Sequence, residues 1–308
     1  MKTTPLIDII IPVYNRASIV DRTLRSIERQ SVWPARVILV DNNSTDGTMA
    51  VLERWAEEMT GRGMQVKVLT ETVAGAAAAR NRGLDESEAE YVMFFDSDDT
   101  MLPAHVESFA RWIEAHPATD VAGKSFMITL LDGRRKTGYF HKHMPEFFNI
   151  FTGQFATLRF VVRRSLLEKA GRWNPSVRGW DDIELGQRLL LQNPVITVVP
   201  GSPTVDVEVT PDSITGSRFS DCPSKWEKAL AEMRRTASEA GRGRLVNWID
   251  CRRIMLAATY SVEGAEAEAE RLRTKVLEDN PNHMRLNLIY RYHRRFRRFT
   301  WMLCLAIF

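Results

Sequence analysis

Four short apolar runs punctuate the first hundred residues: Leu6 to Val13, Arg36 to Asp41, Gln65 to Leu69 and Tyr91 to Phe95. A longer stretch of helical period separates each from the next. Short β-rich apolar runs spaced this way are the buried strands of βαβ units on a mostly parallel sheet. The stretch after the second run carries Met49, Leu52 and Trp55 on one helical face, with Ser44 or Thr45 placed to cap it. In open sheets of this kind the ligand crevice lies beyond the carboxyl ends of the strands, where loops and helix N-termini gather. The polar residues sit at those ends: Tyr14, Asn15 and Arg16 after the first strand, Asp41 to Asp46 after the second, and Asp96 to Asp99 after the fourth. The predicted fold class is therefore α/β: a Rossmann-like, mostly parallel sheet flanked by helices.

With 308 residues, 44% of them hydrophobic, the chain can bury a large core and carry an appendage. After Pro223 the pattern becomes helical over Lys225 to Ala240, Leu245 to Tyr260, Ala265 to Glu278 and from His283 onward. This predicts a first domain over residues 1–220 and a helical C-terminal region over 221–308. Cys222, Cys251 and Cys304 are odd in number and form no CxxC pair, against a disulfide framework or a zinc site and in keeping with a cytoplasmic protein. The segment Met1 to Leu6 lacks the basic and long apolar regions of a secretory signal. The net charge of +3 is modest, and Arg285, Arg291, Arg294, Arg295, Arg297 and Arg298 supply a basic tail with no acid after Asp279. No nucleic-acid module accompanies them, so no nucleic acid is expected.

The strand Tyr91 to Phe95 ends in Asp96, Ser97, Asp98 and Asp99, three carboxylates in four residues. Crowding like charges is costly unless a cation is present, and carboxylates with phosphate oxygens make a typical Mg²⁺ or Mn²⁺ site. Capping of a following helix by Asp99 is the competing reading. Asp41 to Thr48 can hydrogen-bond a base or ribose, although Asx-turn and capping chemistry would select the same residues. The small-residue helix start from Gly75 to Ala79 permits close approach and leads into Arg80, a cation suited to phosphate or an ordinary exposed arginine. The aromatics Phe147, Phe148, Phe151 and Phe155 are read as core, with sugar stacking the other use open to them.

Taken together, Pro12 to Asn15, Val40 to Thr48, Arg80 with Asn81 and Gly83, and Asp96 to Asp99 closely resemble glycosyltransferase family 2, over roughly residues 6 to 217. Gly179, Trp180, Asp181, Asp182, Ile183, Glu184 and Leu185 resemble the family's glycine and paired-acid signature before a helix. The resemblance implies the GT-A fold and a metal-dependent inverting transfer from a nucleotide-sugar donor, a UDP-sugar, with Mn²⁺ or Mg²⁺. It implies Asp182, beside Asp181, as the general base, a role that suits a partly buried carboxylate. For that pair, helix capping and complementarity to the helix dipole remain open. It further implies Asp41 at the base, Asp96 at the ribose, Asp98 at the metal, Arg80 near the nucleotide, and Pro12, Tyr14 and Asn15 lining the pocket. Near Pro211 to Thr215 many relatives carry a histidine where this chain has Thr210, so a metal or diphosphate contact is missing or replaced there.

The expected acceptor is a glycan or lipid-linked hydroxyl in cell-surface polysaccharide or glycoconjugate synthesis. The basic, aromatic stretch from His283 and the apolar octet Trp301 to Phe308 suit an interfacial helix on an anionic membrane, placing the protein on its inner face. The octet is far shorter than the roughly 20 residues a spanning helix needs, and a helix packed on the protein is the alternative. A nucleotidyltransferase would need a glycine-rich basic loop after the first strand, which Pro12 to Ser18 does not supply. A membrane-peripheral sugar-nucleotide-binding or scaffold protein with little turnover is the other function class.

Overall fold

The computed structural model describes residues 6–208, 218–297 and 299–308. Thr210, the stretch Pro211 to Thr215 and Arg298, singled out from the sequence, lie outside the described residues. Along the chain run β1 (Ile7–Val13), α1 (Val20–Glu28), β2 (Arg36–Asp41), α2 (Thr48–Gly61), β3 (Val66–Thr70), α3 (Ala76–Asp85), β4 (Tyr91–Phe94), β5 (Thr100–Met101), α4 (His105–Ala115), β6 (Val121–Gly123), β7 (Phe126–Thr129) and β8 (Arg135–Gly138). They are followed by α5 (Pro145–Thr152), β9 (Phe160–Arg163), α6 (Arg164–Lys169), α7 (Asp181–Leu190), β10 (Ile196–Val198), β11 (Val205–Glu208), α8 (Pro223–Glu239), α9 (Gly243–Val262), α10 (Glu266–Asp279), α11 (His283–Phe296) and α12 (Thr300–Ile307). Two compact units result. One comprises Met1–His143, Gln154–Ser176 and Gln192–Pro211, and the other Met144–Gly153, Val177–Leu191 and Asp212–Phe308.

The first unit holds a seven-stranded sheet in the order β10-β6-β9-β4-β1-β2-β3. β1 pairs in parallel with β2 on one side and β4 on the other, and β2 continues in parallel to β3. β9 alone runs antiparallel, between β4 and β6. Every residue of β1 is buried, as expected of a strand covered on both faces. Asp8 interrupts the apolar run at little cost because its Oδ2 accepts from Ser87 Oγ (2.8 Å) and the amides of Glu88 (2.9 Å) and Ala89 (3.1 Å). α3 crosses close to β1 and β2: a Cβ added to Gly83 would lie 2.4 Å from Ile10 Cγ2. A second sheet, in the order β5-β11-β7-β8, divides the apolar stretch from Val121 between two sheets.

The capping expected of Ser44 or Thr45 does not occur. α2 begins at Thr48, whose amide donates to Asp46 Oδ1 at 2.9 Å, while Leu52 and Trp55 are buried as predicted.

In the second unit, α9 is the central helix, packed by α5, α8, α10, α11 and α12. Its core gathers Trp226, Trp248, Ile254, Leu272 and Ile289. Phe147 packs edge-on against Trp248 at 5.1 Å, and Phe148 and Phe151 border the same core, so these aromatics serve packing. The apolar octet forms most of α12. Cys304 is fully buried, and Trp301, Leu303, Leu305, Ile307 and Phe308 pack against the unit's own core. No helix among the described residues is long and apolar enough to cross a membrane.

Candidate active site

Parallel pairing of β1 with β2 and β4 brings three loops to one edge of the sheet. The loops after β1 and β2 are stitched together by side chains. The Asn15 amide donates to Ser44 Oγ (2.9 Å), the Thr45 amide to Asn15 Oδ1 (2.8 Å) and the Arg16 amide to Thr48 Oγ1 (2.8 Å). Asn15 adopts a left-handed backbone with φ 50°, a conformation that asparagine tolerates better than most residues. Arg16 then reaches the turn after β4, its guanidinium 3.6 Å from Asp98 Oδ2. Pro12, the last residue but one of β1, pairs with Val40, while Tyr14 just past the strand is 56% exposed.

Asp41 closes β2 and is buried. Its Oδ2 accepts from the Ser44 amide at 3.0 Å, which is Asx-turn chemistry. Its buried Oδ1 has no hydrogen-bond partner. The two sequence readings of this loop thus divide between two oxygens: one builds the turn, and the other is an acceptor awaiting a donor. Asn42 secures the loop from the other side by donating to the carbonyls of Glu71 (2.9 Å) and Val73 (2.8 Å) and accepting from the Gly75 amide (2.7 Å).

The turn after β4 carries the charge. Asp96 Oδ1 accepts from Arg80 Nη2 at 2.9 Å, and Asp96 Oδ2 accepts from Thr157 Oγ1 at 2.8 Å. Arg80 is buried, and its guanidinium lies 4.4 Å from the centre of the Trp173 ring, a cation–π contact. Asn81 clasps the Trp173 backbone, with Nδ2 donating to its carbonyl (2.9 Å) and Oδ1 accepting from its amide (3.1 Å). Thr23 Oγ1 lies 2.9 Å and 2.7 Å from the carbonyls of Ser97 and Asp99, and Arg22 donates to the carbonyl of Asp98.

Asp99 does not cap a helix: α4 starts only at His105, with Ala104 at its cap, and β5 intervenes. Burial, and then the neighbouring charges of Asp96 and Asp98, push Asp99 up to about 8. Burial, followed by Asp96, also raises Asp98, against the pull of Arg16. A cation among these carboxylates would reverse both shifts. Among the described residues no three His, Cys, Asp or Glu side chains form a set that could hold an ion by themselves. The donor set fits an ion held by one or two carboxylates and completed by phosphate oxygens and water.

Asp181 and Asp182 open α7 in the second unit, in the first helical turn where acids complement the helix dipole. Asp182 Oδ1 accepts from the Ile183 amide at 2.8 Å. The following acid, Glu184, is buried in a two-point pair with Arg188, at 2.6 and 2.7 Å. Gly179 is required by close approach, since a Cβ there would lie 2.7 Å from Lys225 Cγ. Trp180 packs on Trp226, with ring centres 5.1 Å apart, and fixes the entry to the helix.

Sequence reasoning missed Thr157 and Trp173, which hold Asp96 and Arg80 from distant parts of the chain. No local pattern marks either residue. The Asn81 neighbour of Arg80 was part of the recognised motif, and it turns out to be the group that holds Trp173.

The family model of glycosyl transferase family 2 matches residues 8–169, more than half of the chain, taking in the loops after β1, β2 and β4 but not Trp173 or the Asp181 and Asp182 pair. This chain belongs to glycosyl transferase family 2. Among curated family relatives, the putative teichuronic acid biosynthesis glycosyltransferase TuaG of Bacillus subtilis is 39% identical over 95 residues, covering 31% of this chain and 36% of that protein. The first such matches span about a third to a half of the relatives' lengths. Among solved structures, TarS 1-349 of S. aureus in complex with UDP-GlcNAc aligns with a TM-score of 0.67 at 16% identity, covering 94% of this chain and 92% of that one. The mannosyltransferase PcManGT of Pyrobaculum calidifontis, in complex with GDP-Man and Mn²⁺, aligns with a TM-score of 0.57 at 20% identity, covering 98% and 86%. These likenesses bear out the family-2 GT-A fold expected from the sequence.

Behind the carboxylate turn, His105 is fully buried beside Phe95, with Nδ1 2.8 Å from Thr204 Oγ1 and Nε2 without a partner. Burial, and then Lys124, push it down to about 3. The unfolded chain, with an ordinary histidine near 6.5, then binds one more proton than the folded chain between these values. His105 should therefore favour folding fully above pH ~6.5 and lose about 1.4 kcal/mol per pH unit below it. Replacing it by Gln should flatten the wild-type slope of unfolding free energy between pH 6.5 and 4 by that amount; parallel slopes would contradict the assignment.

Proposed function

We propose that this chain is a metal-dependent, inverting glycosyltransferase that moves a sugar from a UDP-sugar to the hydroxyl of a glycan or lipid-linked acceptor, in cell-surface polysaccharide or glycoconjugate synthesis. The observation that carries this reading is the buried Asp41 with one unfilled oxygen, on the same sheet edge as the crowded turn Asp96 to Asp99. The ligands of the aligned structures, UDP-GlcNAc and GDP-Man with Mn²⁺, support it.

In this reading Asp41 Oδ1 accepts a hydrogen bond from the donor's base, while Oδ2 stays with Ser44. Asp96 meets the ribose, and Arg80, clamped on Trp173, contributes mainly by orienting that carboxylate. Pro12, Tyr14 and Asn15 line the nucleotide pocket. Asp98, with Asp99 beside it, would hold Mn²⁺ or Mg²⁺, which when bound neutralises charge developing on the diphosphate. Asp182, beside Asp181, takes the proton of the acceptor hydroxyl as its oxygen attacks the anomeric carbon. The bond from that carbon to the diphosphate breaks, its electron pair leaves with the nucleotide, and a single displacement inverts the centre. By sequence, residues 1–220 then make up the GT-A domain and residues 221–308 its helical extension, with α5 and α7 of the former clustering with the latter.

We further infer that the tail docks on the cytoplasmic face of an anionic membrane. Met284 is 87% exposed, and Leu288, Phe296, Phe299 and Met302 are each more than half exposed among the tail arginines. Because α11 and α12 also fill the unit's core, substitution tests this more cleanly than truncation. Converting Met284 and Leu288 to Ser should lower co-sedimentation with vesicles rich in phosphatidylglycerol several-fold, and undiminished sedimentation would refute the docking.

For the transfer itself, Asp98→Ala should abolish the Mn²⁺-dependent part of UDP affinity in calorimetry. Asp182→Asn should keep UDP affinity and cut turnover by at least ~100-fold. Retained metal dependence in the first, or unchanged transfer in the second, would remove the assigned role.

A further inference from the structure

A cavity of about 240 Å³ opens in the helical unit, lined among others by Trp180, Phe219, Arg252, Thr259, His293 and Arg297. Its charge is unbalanced. Arg252 sits in the middle of α9, whose central turns are mostly buried, with its guanidinium 4.7 Å from the centre of the Trp180 ring. Among the described residues no carboxylate pairs with Arg252 and no hydrogen bond engages its guanidinium, whereas the adjacent Arg253 pairs with Asp250 and Asp279, each at 2.7 Å. Arg297, at the end of α11, likewise has no carboxylate partner there. The acid Glu263 is occupied elsewhere, accepting from the amides of Phe219 (3.2 Å) and Ser220 (2.8 Å).

His293 cannot be counted as a third cation. Its Nδ1 and Nε2 lie 2.9 Å and 3.2 Å from the hydroxyls of Thr300 and Thr259, and burial, then Arg252 and Arg297, push it down to about 4. Burial also pushes Arg252 down to about 10. Arg252 is half-buried and Arg297 exposed at the cavity mouth; a partly desolvated guanidinium without a counter-charge is unfavourable, and a polyvalent anion is the group that offsets it. Two guanidinium forks match the several acceptor oxygens of a phosphate better than the two of a carboxylate. Trp180 and Phe219 pack on each other and on Trp226, and their remaining ring surface at the cavity wall gives an apolar side for an attached sugar or polyol.

We propose that this cavity is an anion site that takes a phosphate group carried by the acceptor, held by Arg252 and Arg297 with the adjoining sugar or polyol against Trp180. Trp180 directly precedes Asp181 and Asp182, so a ligand anchored on it is bound next in sequence to the proposed base. The role of the anion as part of the acceptor rests on the proposed glycosyl transfer; anion binding itself does not.

The test uses the full chain and inorganic phosphate, followed by thermal shift and calorimetry at constant ionic strength, with acetate as the carboxylate control. Wild type should show saturable stabilisation by phosphate and none by acetate. Arg252→Gln should weaken phosphate affinity by at least about 10-fold, the scale of one lost charge-assisted hydrogen bond, without lowering the melting temperature of the unliganded protein or its UDP affinity. Arg235→Gln, which removes a surface arginine paired with Glu232 and Glu239, should leave the phosphate response unchanged. Should Arg252→Gln fail to fold, Arg252→Lys and Arg297→Gln provide the same comparison. Glycerol 3-phosphate binding more tightly than farnesyl phosphate would assign the phosphate to a soluble polyol, and the reverse order to a lipid carrier. An unaltered phosphate response in all three cavity variants, or no response in wild type, overturns the site. Phosphate binding without binding of any UDP-, GDP-, CDP- or dTDP-sugar in the presence of Mn²⁺ upholds the site and removes the glycosyltransferase reading, while nucleotide-sugar binding without phosphate binding does the opposite.

Discussion

Parallel pairing of a fully buried β1 with β2 on one side and β4 on the other is the constraint from which the first unit follows. A strand covered on both faces must be apolar along its length, and its parallel neighbours must return through crossovers, so the strand-to-helix loops collect at one edge. α1, α2 and α3 supply the crossovers. α3 lies so near the sheet that Gly83 has no room for a side chain above Ile10. Polar loops elsewhere on the chain could carry the same residues without meeting. Here they converge because the strands do.

What converges is a deliberate electrostatic imbalance. Burial, and after it the charge of Asp96, raises Asp98, and burial followed by the charges of Asp96 and Asp98 raises Asp99. Arg80 and Thr157 hold Asp96, Arg16 lies near Asp98, and Arg22 and Thr23 fix the backbone of the turn. The acids are thus kept close without being fully neutralised, which suits a group of variable occupancy such as a cation bound with a nucleotide. The helical unit shows the opposite imbalance in its cavity, where among the described residues no carboxylate pairs with Arg252 or Arg297. Each unit carries a polar arrangement whose missing partner has a definite sign.

Much of this was legible in the sequence. The four N-terminal strands and the helices beginning near Pro223, Gly243, Glu266 and His283 lie within a few residues of their predicted bounds, because their periodicity is strong and Pro, Gly and Asn punctuate them. The residues at the strand ends could be named because a strand dictates where its own last residue lies. Three things were not legible. Asp46 rather than Ser44 or Thr45 bonds the amide at the start of α2, a choice among neighbours that only backbone geometry makes. Thr157 and Trp173 reach Asp96 and Arg80 across tens of residues and carry no local signal. The C-terminal octet reads as a membrane-seeking segment by composition, yet Cys304 and most of its apolar neighbours are used by the core of their own unit.

The central claim is that the edge formed by β1, β2 and β4 binds a nucleotide sugar together with a divalent ion. It is tested most directly by the thermal stability of the full chain against UDP-, GDP-, CDP- and dTDP-sugars, each with and without Mn²⁺, since a ligand that binds only the folded state raises its stability by mass action. Stabilisation by UDP-sugars that depends on Mn²⁺ is the predicted result. No stabilisation by any donor in the presence of Mn²⁺ would contradict it.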